Sequence, residues 1–376
     1  MRPNIKERAL RDWLRGQIVS GKLAPGQQLP TQVALCRRHR VSHLTVQRAI
    51  GSLKREGFIH TRLRDGAYVA NRPPHRHDYA LVFAEDPSQV TNWSRFYTSL
   101  QNAAAMLGPT ADCRFLPFFG VRGPQHGGDY ERLAELVQAD RLAGLIFVQG
   151  EHYVADTPLV TRPGLPRVTF KSRQLFPHIP IVTYDLRQFA DRAAAWCRER
   201  GTRRVALIAM YSKPEMLRNF EECFAEAVTA HGLEHRPEWY LPAAAESAEA
   251  ARYWTQLLMR LPPQDRPEAV LVADDNFVEP AMAGLHAARV RVPDDVAVIS
   301  HCNFPWAGPR PRGVEWLGFD ADRALRTCLG LLQRQRRSEP APGSTMISPR
   351  FGAQLGMTEK ETSNTGVDTA PELKGV

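Results

Sequence analysis

Residues 29–69 read LPTQVALCRRHRVSHLTVQRAIGSLKREGFIHTRLRDGAYV, and few backbones accommodate that pattern. Val46, Ala49, Ile50 and Leu53 recur at i, i+3, i+4 and i+7, which predicts one buried stripe on a helix over 42–56. Ser42 is placed to cap it, because its hydroxyl can accept from the free N–H groups of the first turn. His43, Gln47, Arg48 and Lys54 fall largely off the stripe. Gly57 ends the helix as a left-handed cap would. Thr31 is read as the cap of a shorter helix running through Leu35 to Arg38. Residues 58–61 and 67–69 read as two strands around Arg62-Leu63-Arg64-Asp65-Gly66, where Asp65-Gly66 supplies the turn. A further helix is expected over 4–20, with Leu10, Trp13, Leu14 and Ile18 near one face, and a loop over 21–30.

Charge falls on the same region. Residues 1–77 hold 16 Lys and Arg against 4 Asp and Glu; the remainder holds 33 against 36. A basic module with two helices, a tight turn and an arginine-tipped hairpin is the arrangement of a winged helix-turn-helix that reads duplex DNA.

The stretch IVSGKLAPGQQLPTQVALCRRHRVSHLTVQRAIGSLKREGFIHTRLRDGAYVA resembles the N-terminal domain of the GntR family of bacterial transcription regulators. Ile18, Gly21, Pro25-Gly26, Leu29-Pro30, Leu35, Val41-Ser42, Thr45-Val46, Ala49, Leu53, Glu56-Gly57 and Gly66-Ala67-Tyr68-Val69 carry the likeness. It implies a helix over 42–56 in the major groove. His43 and Gln47 would read base edges. Thr31, Thr45 and Arg48 would hold phosphate, with Gln32 and Ser42 beside them. Arg62, Arg64 and Gly66 would approach the neighbouring minor groove or backbone. Gln32 and Val33 replace an acidic-basic pair usual in that family, and His43 and Gln47 replace arginines, so DNA binding carries over while the operator sequence does not.

Residues 71–77 (NRPPHRH) read as a proline-stiffened linker with solvated histidines. From residue 78 strands and helices alternate, which predicts doubly wound parallel sheets with helices on both faces. More than 200 residues of that pattern in the 376-residue chain exceed one sheet, so two subdomains are expected. The order of elements resembles the effector domain of the lactose-repressor/galactose-repressor family, which has the fold of type I periplasmic binding proteins. The segments ADRAAAWCRERGTRRVALI, PEAVLVADDNFVEPAMAGLHAARVRVPDDVAVISHCN, GFDADRALRTCLGLLQRQ and STMISPRF carry that likeness. It implies an effector domain over 78–352, with one subdomain at 78–183 and 303–338 and the other at 184–302 and 339–352. Three chain crossings are then expected near 183–186, 302–310 and 337–343. Residues 353–376 are polar and read as a disordered tail.

Ligands of such sheets bind beyond the carboxyl ends of the strands. Those ends carry Glu85-Asp86, Gln149, Phe170-Lys171, Met210-Tyr211-Ser212, Asp274-Asp275 and His301-Cys302-Asn303. Phe96, Lys171, Arg218, Asp274, Asp275 and Asn303 are the candidate ligand residues. Asp274 and Asp275 can accept from hydroxyls, and Asp275 can equally cap the following helix. Lys171 and Arg173 can meet a carboxylate or phosphate, or stay solvated. Trp93, Phe96 and Tyr97 can stack on a sugar face or pack in the core. The resemblance also implies an Arg where Phe220 stands, two residues from Arg218. Phe170-Lys171 and Cys302 stand where that family has aspartates.

The six cysteines (36, 113, 197, 223, 302 and 328) are scattered and read as free thiols. No nucleophile elbow, phosphate loop or metal-ligand spacing occurs, so no catalytic residue, metal or cofactor is expected. Neither an apolar leader nor a long apolar run is present, and a cytoplasmic location off the membrane is expected. The reading is a homodimeric, DNA-binding repressor of carbohydrate-metabolism genes that responds to a sugar or sugar derivative. The alternative is a regulator whose cleft has lost its ligand and answers to protein partners.

Overall fold

The computed structural model describes residues 5–90, 93–210, 214–244, 247–306 and 310–356, with backbone alone over 214–219. The N-terminal module comprises α1 (Ile5–Val19), α2 (Gln32–His39), α3 (His43–Arg55) and the hairpin β1 (Ile59–Arg62) and β2 (Gly66–Val69). Val46, Ala49 and Leu53 of α3 are fully buried against Leu10, Leu14 and Ile18 of α1, with Phe58 closing the cluster. The segment expected as loop adds a third partner to the hairpin. Leu29 N–H donates to Ala67 O at 2.8 Å, and Val69 N–H to Gln27 O at 2.8 Å. The backbone groups of β2 would otherwise be left unpaired on that side.

The linker is docked. Pro73 and Pro74 are buried, and Pro74–His77 forms the one-turn helix α4. The His75 ring stacks on Phe58 with centroids 5.8 Å apart, and burial pushes its pKa down to about 4. Arg336 donates to the carbonyls of His75, Arg76 and Ala143. The expectation of solvated linker histidines is corrected: prolines and imidazoles carry enough apolar surface to pack between two bodies.

The rest forms two six-stranded sheets. The elements run β3 (Asp78–Val82), α5 (Arg95–Thr110), β4 (Arg114–Phe118), α6 (Tyr130–Gln138), β5 (Gly144–Phe147), α7 (Pro158–Thr161), β6 (Arg167–Phe170) and β7 (Ile181–Tyr184). They continue with α8 (Leu186–Glu199), β8 (Val205–Met210), α9 (Pro214–Ala230), β9 (Tyr240–Ala243), α10 (Ala250–Leu258), β10 (Ala269–Val272) and α11 (Val278–Ala287). The last are β11 (Ala297–Phe304), β12 (Val314–Asp320), α12 (Ala321–Arg336), β13 (Ser344–Ile347) and β14 (Arg350–Phe351). The first sheet has the order β13-β7-β6-β5-β3-β4 and the second β14-β12-β11-β10-β8-β9. All pairs are parallel except β12–β14.

Strand faces explain the apolar runs. Tyr79 and Leu81 face one core, while Ala80 and Val82 face another. Val205, Leu207 and Ala209 divide from Ala206 and Ile208 in the same way. Sheets covered on both faces need apolar residues at every position.

Two expected crossings move. β12 stays in the second sheet, paired with β11 from Val298↔Val314 to Phe304↔Asp320, so the chain crosses after 320 and not at 302–310. It then enters the first sheet with β13 and returns between 347 and 350 instead of at 337–343. Strand pairing beside β11 outweighs the expected hand-over, because β12 is buried at Leu317 and Phe319. Residues 352–355, in part expected as tail, form a 3-10 turn, and 357–376 lie outside the described residues. Among the described residues no helix is long and apolar enough to cross a membrane.

The position of α11, which follows the Asp274-Asp275 turn, depends on close approach to α10. A Cβ on Gly284 would lie 1.9 Å from Thr255 Oγ1 and 2.2 Å from Arg252 O. Gly284→Ala is expected to lower stability by about 1–3 kcal/mol, read as a lower urea midpoint; an unchanged midpoint would contradict this packing.

Candidate DNA interface and ligand cleft

Two places gather the candidate residues. The first is the outer surface of the N-terminal module. Ser42 Oγ accepts from Thr45 N at 3.2 Å and lies 2.9 Å from Thr45 Oγ1, so the first turn of α3 is pinned. Thr31 Oγ1 accepts from Ala34 N at 3.2 Å and caps α2. Ser42, His43, Gln47 and Arg48 are exposed, Thr45 is half-buried, and Gln32 is half-buried with Oε1 enclosed. Lys54 Nζ donates to Thr61 Oγ1 at 2.9 Å and ties α3 to the hairpin.

The wing tip is built locally. Gln28 Nε2 donates to Asp65 O at 2.6 Å. Gly66 has φ +114°, and a Cβ there would meet Gln28 Nε2 at 3.1 Å, so the turn requires glycine. The Arg62 guanidinium lies 4.4 Å from the Tyr68 ring centroid and 3.8 Å from the Asp65 carboxylate. Arg62 and Arg64 are both exposed. The whole forms a cationic face whose donors are held by caps and turns.

The second place is a cavity of about 240 Å³ between the two sheets, lined by residues that include Phe96, Gln149, Lys171, Tyr184, Asp274, His301 and Asn303. Phe96 presents an edge to Phe170 and to Tyr184, with centroids 5.8 Å apart in each pair. Trp93 and Tyr97 instead pack against Phe83, so they serve the core.

The carboxylates separate in role. Asp274, not Asp275, is the local cap: its Oδ1 accepts from Asn276 N at 2.9 Å. Asp275 is buried and accepts from Asn303 N at 2.8 Å and from Asn303 Nδ2 at 3.1 and 3.2 Å. Burial raises its pKa to about 6, against the Asn303 hydrogen bonds. Burial and the neighbouring Asp275 charge raise Asp274 too.

Lys171 is not a free cation. Its Nζ donates to Glu151 Oε1 at 3.0 Å, and Thr169 Oγ1 donates to Glu151 Oε2 at 3.1 Å. Glu151 is fully buried. Arg218 lies on α9, but its side chain is outside the described residues.

Three residues missed as ligand candidates face this space. Gln149 follows β5 with φ +118°, a strained setting for a residue with a side chain, and Tyr97 Oη donates to its Oε1 at 3.4 Å. His301 is enclosed between Phe189 and Phe319, and its Nδ1 has no hydrogen-bond partner. Tyr184 stacks on Phe319 at 4.2 Å. Position at a strand end is the only sequence signal that marks them.

Two segments of the sequence match known families. Residues 6–69 match the bacterial regulatory proteins of the gntR family, and residues 194–349 match the periplasmic binding protein-like domain. The chain joins a gntR-family regulatory module to a periplasmic binding protein-like domain. It is 22% identical over 322 residues to an arabinose metabolism transcriptional repressor of Geobacillus stearothermophilus, covering 81% of this chain and 85% of that protein. A LacI-family regulatory protein of Chloroflexus aggregans is similar in structure, with TM-score 0.56 and 18% identity, over 73% of this chain and 96% of that one. So is a LacI-family regulator of Lactobacillus casei solved with bound sucrose, with TM-score 0.54 and 17% identity, over 73% and 98%. The GntR-type module thus holds the cationic face, and the LacI-like fold holds the cavity.

The enclosed imidazole of the LacI-like fold carries a pH signature. Burial pushes the His301 pKa down to about 4. Between about pH 6.5 and 4 the folded chain therefore binds fewer protons than the unfolded chain. Stability from neutral His301 is full above pH 6.5 and is lost as pH falls through 4. His301→Gln lacks this loss. Relative to wild type it should gain about 2 kcal/mol between pH 7 and pH 5 in urea titrations. Asp275 acts with the opposite sign, its contribution falling as pH rises through about 6, but it is present in both proteins. A difference independent of pH would contradict a buried neutral ring.

Proposed function

We propose that the chain is a dimeric transcriptional repressor whose affinity for a pseudo-palindromic operator is set by a sugar or sugar derivative in the cleft between its two sheets. The observation that carries this is the pairing of two sites in one chain: a capped, cation-rimmed α3 and a cavity walled by aromatic rings and strand-end polar groups. Similarity to the arabinose metabolism repressor supports a carbohydrate effector. In this reading His43 and Gln47 read base edges in the major groove. Thr31, Thr45 and Arg48, with Gln32 and Ser42 beside them, hold phosphate. Arg62, Arg64 and Gly66 bring the wing to the adjacent groove. Each phosphate contact adds ~0.9 to the slope of log affinity against log salt.

In the cleft, Phe96 offers an apolar edge to a pyranose or furanose face. Asp274 accepts from hydroxyls through Oδ2, and Asn303 shapes the floor with Asp275 behind it. Arg218, from α9, and Lys171 complete the set. A ligand shifts operator affinity only if it binds the two arrangements of the sheets with different affinity.

One observation favours a second reading, in which the cleft takes no small molecule and protein partners control the regulator. Asp275 is engaged by Asn303 and Lys171 by Glu151, so these groups are satisfied without a ligand. A thermal-shift screen across aldoses, ketoses and sugar phosphates separates the two: a rise with one class supports sugar control, and a flat panel supports partner control.

DNA reading is tested by selecting bound duplexes from a random pool with wild type, His43→Ala and Gln47→Ala. The expected outcome is an inverted repeat whose half-site changes in each variant. Three identical outcomes would contradict base reading by α3.

A further inference from the structure

The buried stripe of α3 leaves an opposite ridge. Leu44, Arg48, Gly51 and Arg55 recur at i, i+4, i+7 and i+11, turned away from Val46, Ala49, Ile50 and Leu53. Arg48 is exposed, as a cation facing DNA should be, while Arg55 at the far end donates to Ser52 Oγ at 3.0 Å. Leu44 is 54% exposed in the first turn, between His43 and the Ser42–Thr45 cap. It has no role in the core of the module. Two further exposed aliphatic residues lie in the same module: Val33, 56% exposed on α2, and Leu63, 93% exposed between the wing arginines. None of the three belongs to the core cluster of the module.

We propose that Leu44 reads the C5-methyl of a thymine in the major groove, so that each operator half-site carries a thymine specified by apolar contact beside the bases read by His43 and Gln47. This deepens the DNA-binding reading above and rests on it. The chemistry of the groove leaves one partner. The N7, O6, N6, N4 and O4 groups of the major groove donate or accept hydrogen bonds, which Leu44 cannot satisfy; the thymine methyl is the apolar group that projects into the groove, beyond the flush C5–H of cytosine. Placement agrees, since residues at the start of a recognition helix reach base edges. The ridge itself supplies the anchor: Arg48, one turn along, reaches phosphate while Gly51 leaves room for the groove wall.

The test uses the full chain and the tightest duplex selected by wild type from the random pool. Thymines of both half-sites are replaced by uracil, one symmetric position at a time. This removes the methyl and keeps the base pairing. Affinities are measured by fluorescence anisotropy for wild type, Leu44→Ala and Arg48→Ala. One position should weaken wild type roughly fourfold for each methyl lost. Leu44→Ala should bind the thymine and uracil duplexes equally. Arg48→Ala should bind both more weakly and keep the uracil penalty. Leu44 is exposed, so its alanine variant should melt like wild type. A selected site with no methyl-sensitive position, or a penalty that survives in Leu44→Ala, would overturn the proposal alone. A pool with no enriched sequence would overturn base reading by α3 as a whole, and this proposal with it.

Discussion

Asn303 is held from two sides. Asp275, in the turn that follows β10, accepts from its backbone and side-chain N–H groups, and Ser99 of α5 donates to its carbonyl at 2.7 Å. The first contact binds neighbouring strand ends within the second sheet. The second reaches a helix that packs on the first sheet. Nearby, Arg95 reinforces the crossing by donating to Glu279 at 2.7 Å and lying over the Trp306 ring. Removing either partner of a buried hydrogen-bonded carboxylate leaves an uncompensated polar group, so this cluster resists small changes. The floor of the cavity is part of it, and a molecule seated there meets groups that hold both sheets.

From this cluster the contacts lead through α5 to α12. It packs against α5 and against strands β6, β7 and β13. Its last residue, Arg336, donates to linker carbonyls, and the linker ring of His75 stacks on Phe58 in the core of the DNA-binding module. Packed side chains and hydrogen bonds thus run without a break from the first sheet to the body that carries α3. Two packed arrangements of such a path can be biased by a ligand worth ~1–3 kcal/mol.

Much of this was legible in the sequence where local rules and tertiary demands agree. The stripe of Val46, Ala49, Ile50 and Leu53, the Ser42 cap and the Asp65-Gly66 turn each report one environment, and the structure places them so. The alternation of strands and helices announced sheets covered on both faces. What escaped depends on partners distant in sequence. Nothing in the local sequence of Glu151 marks it as fully buried, because its burial depends on Lys171 and Thr169, 20 and 18 residues away. Residues 26–29 carry turn residues yet pair with β2, because the open edge of that strand needs donors and acceptors. The hand-over between sheets was misplaced because spacing does not reveal which strand lies beside β11. Leu44 lies opposite the stripe by helical spacing, and its exposure bears that out.

Coupling between cleft and operator is read by a single titration. Fluorescence anisotropy of the selected operator duplex is recorded with full-length protein, with and without a saturating sugar that raises the melting temperature. Operator affinity should change roughly 5- to 150-fold, and the duplex should change sugar affinity by the same factor. A sugar that binds and stabilises the protein while leaving operator affinity unchanged would contradict it.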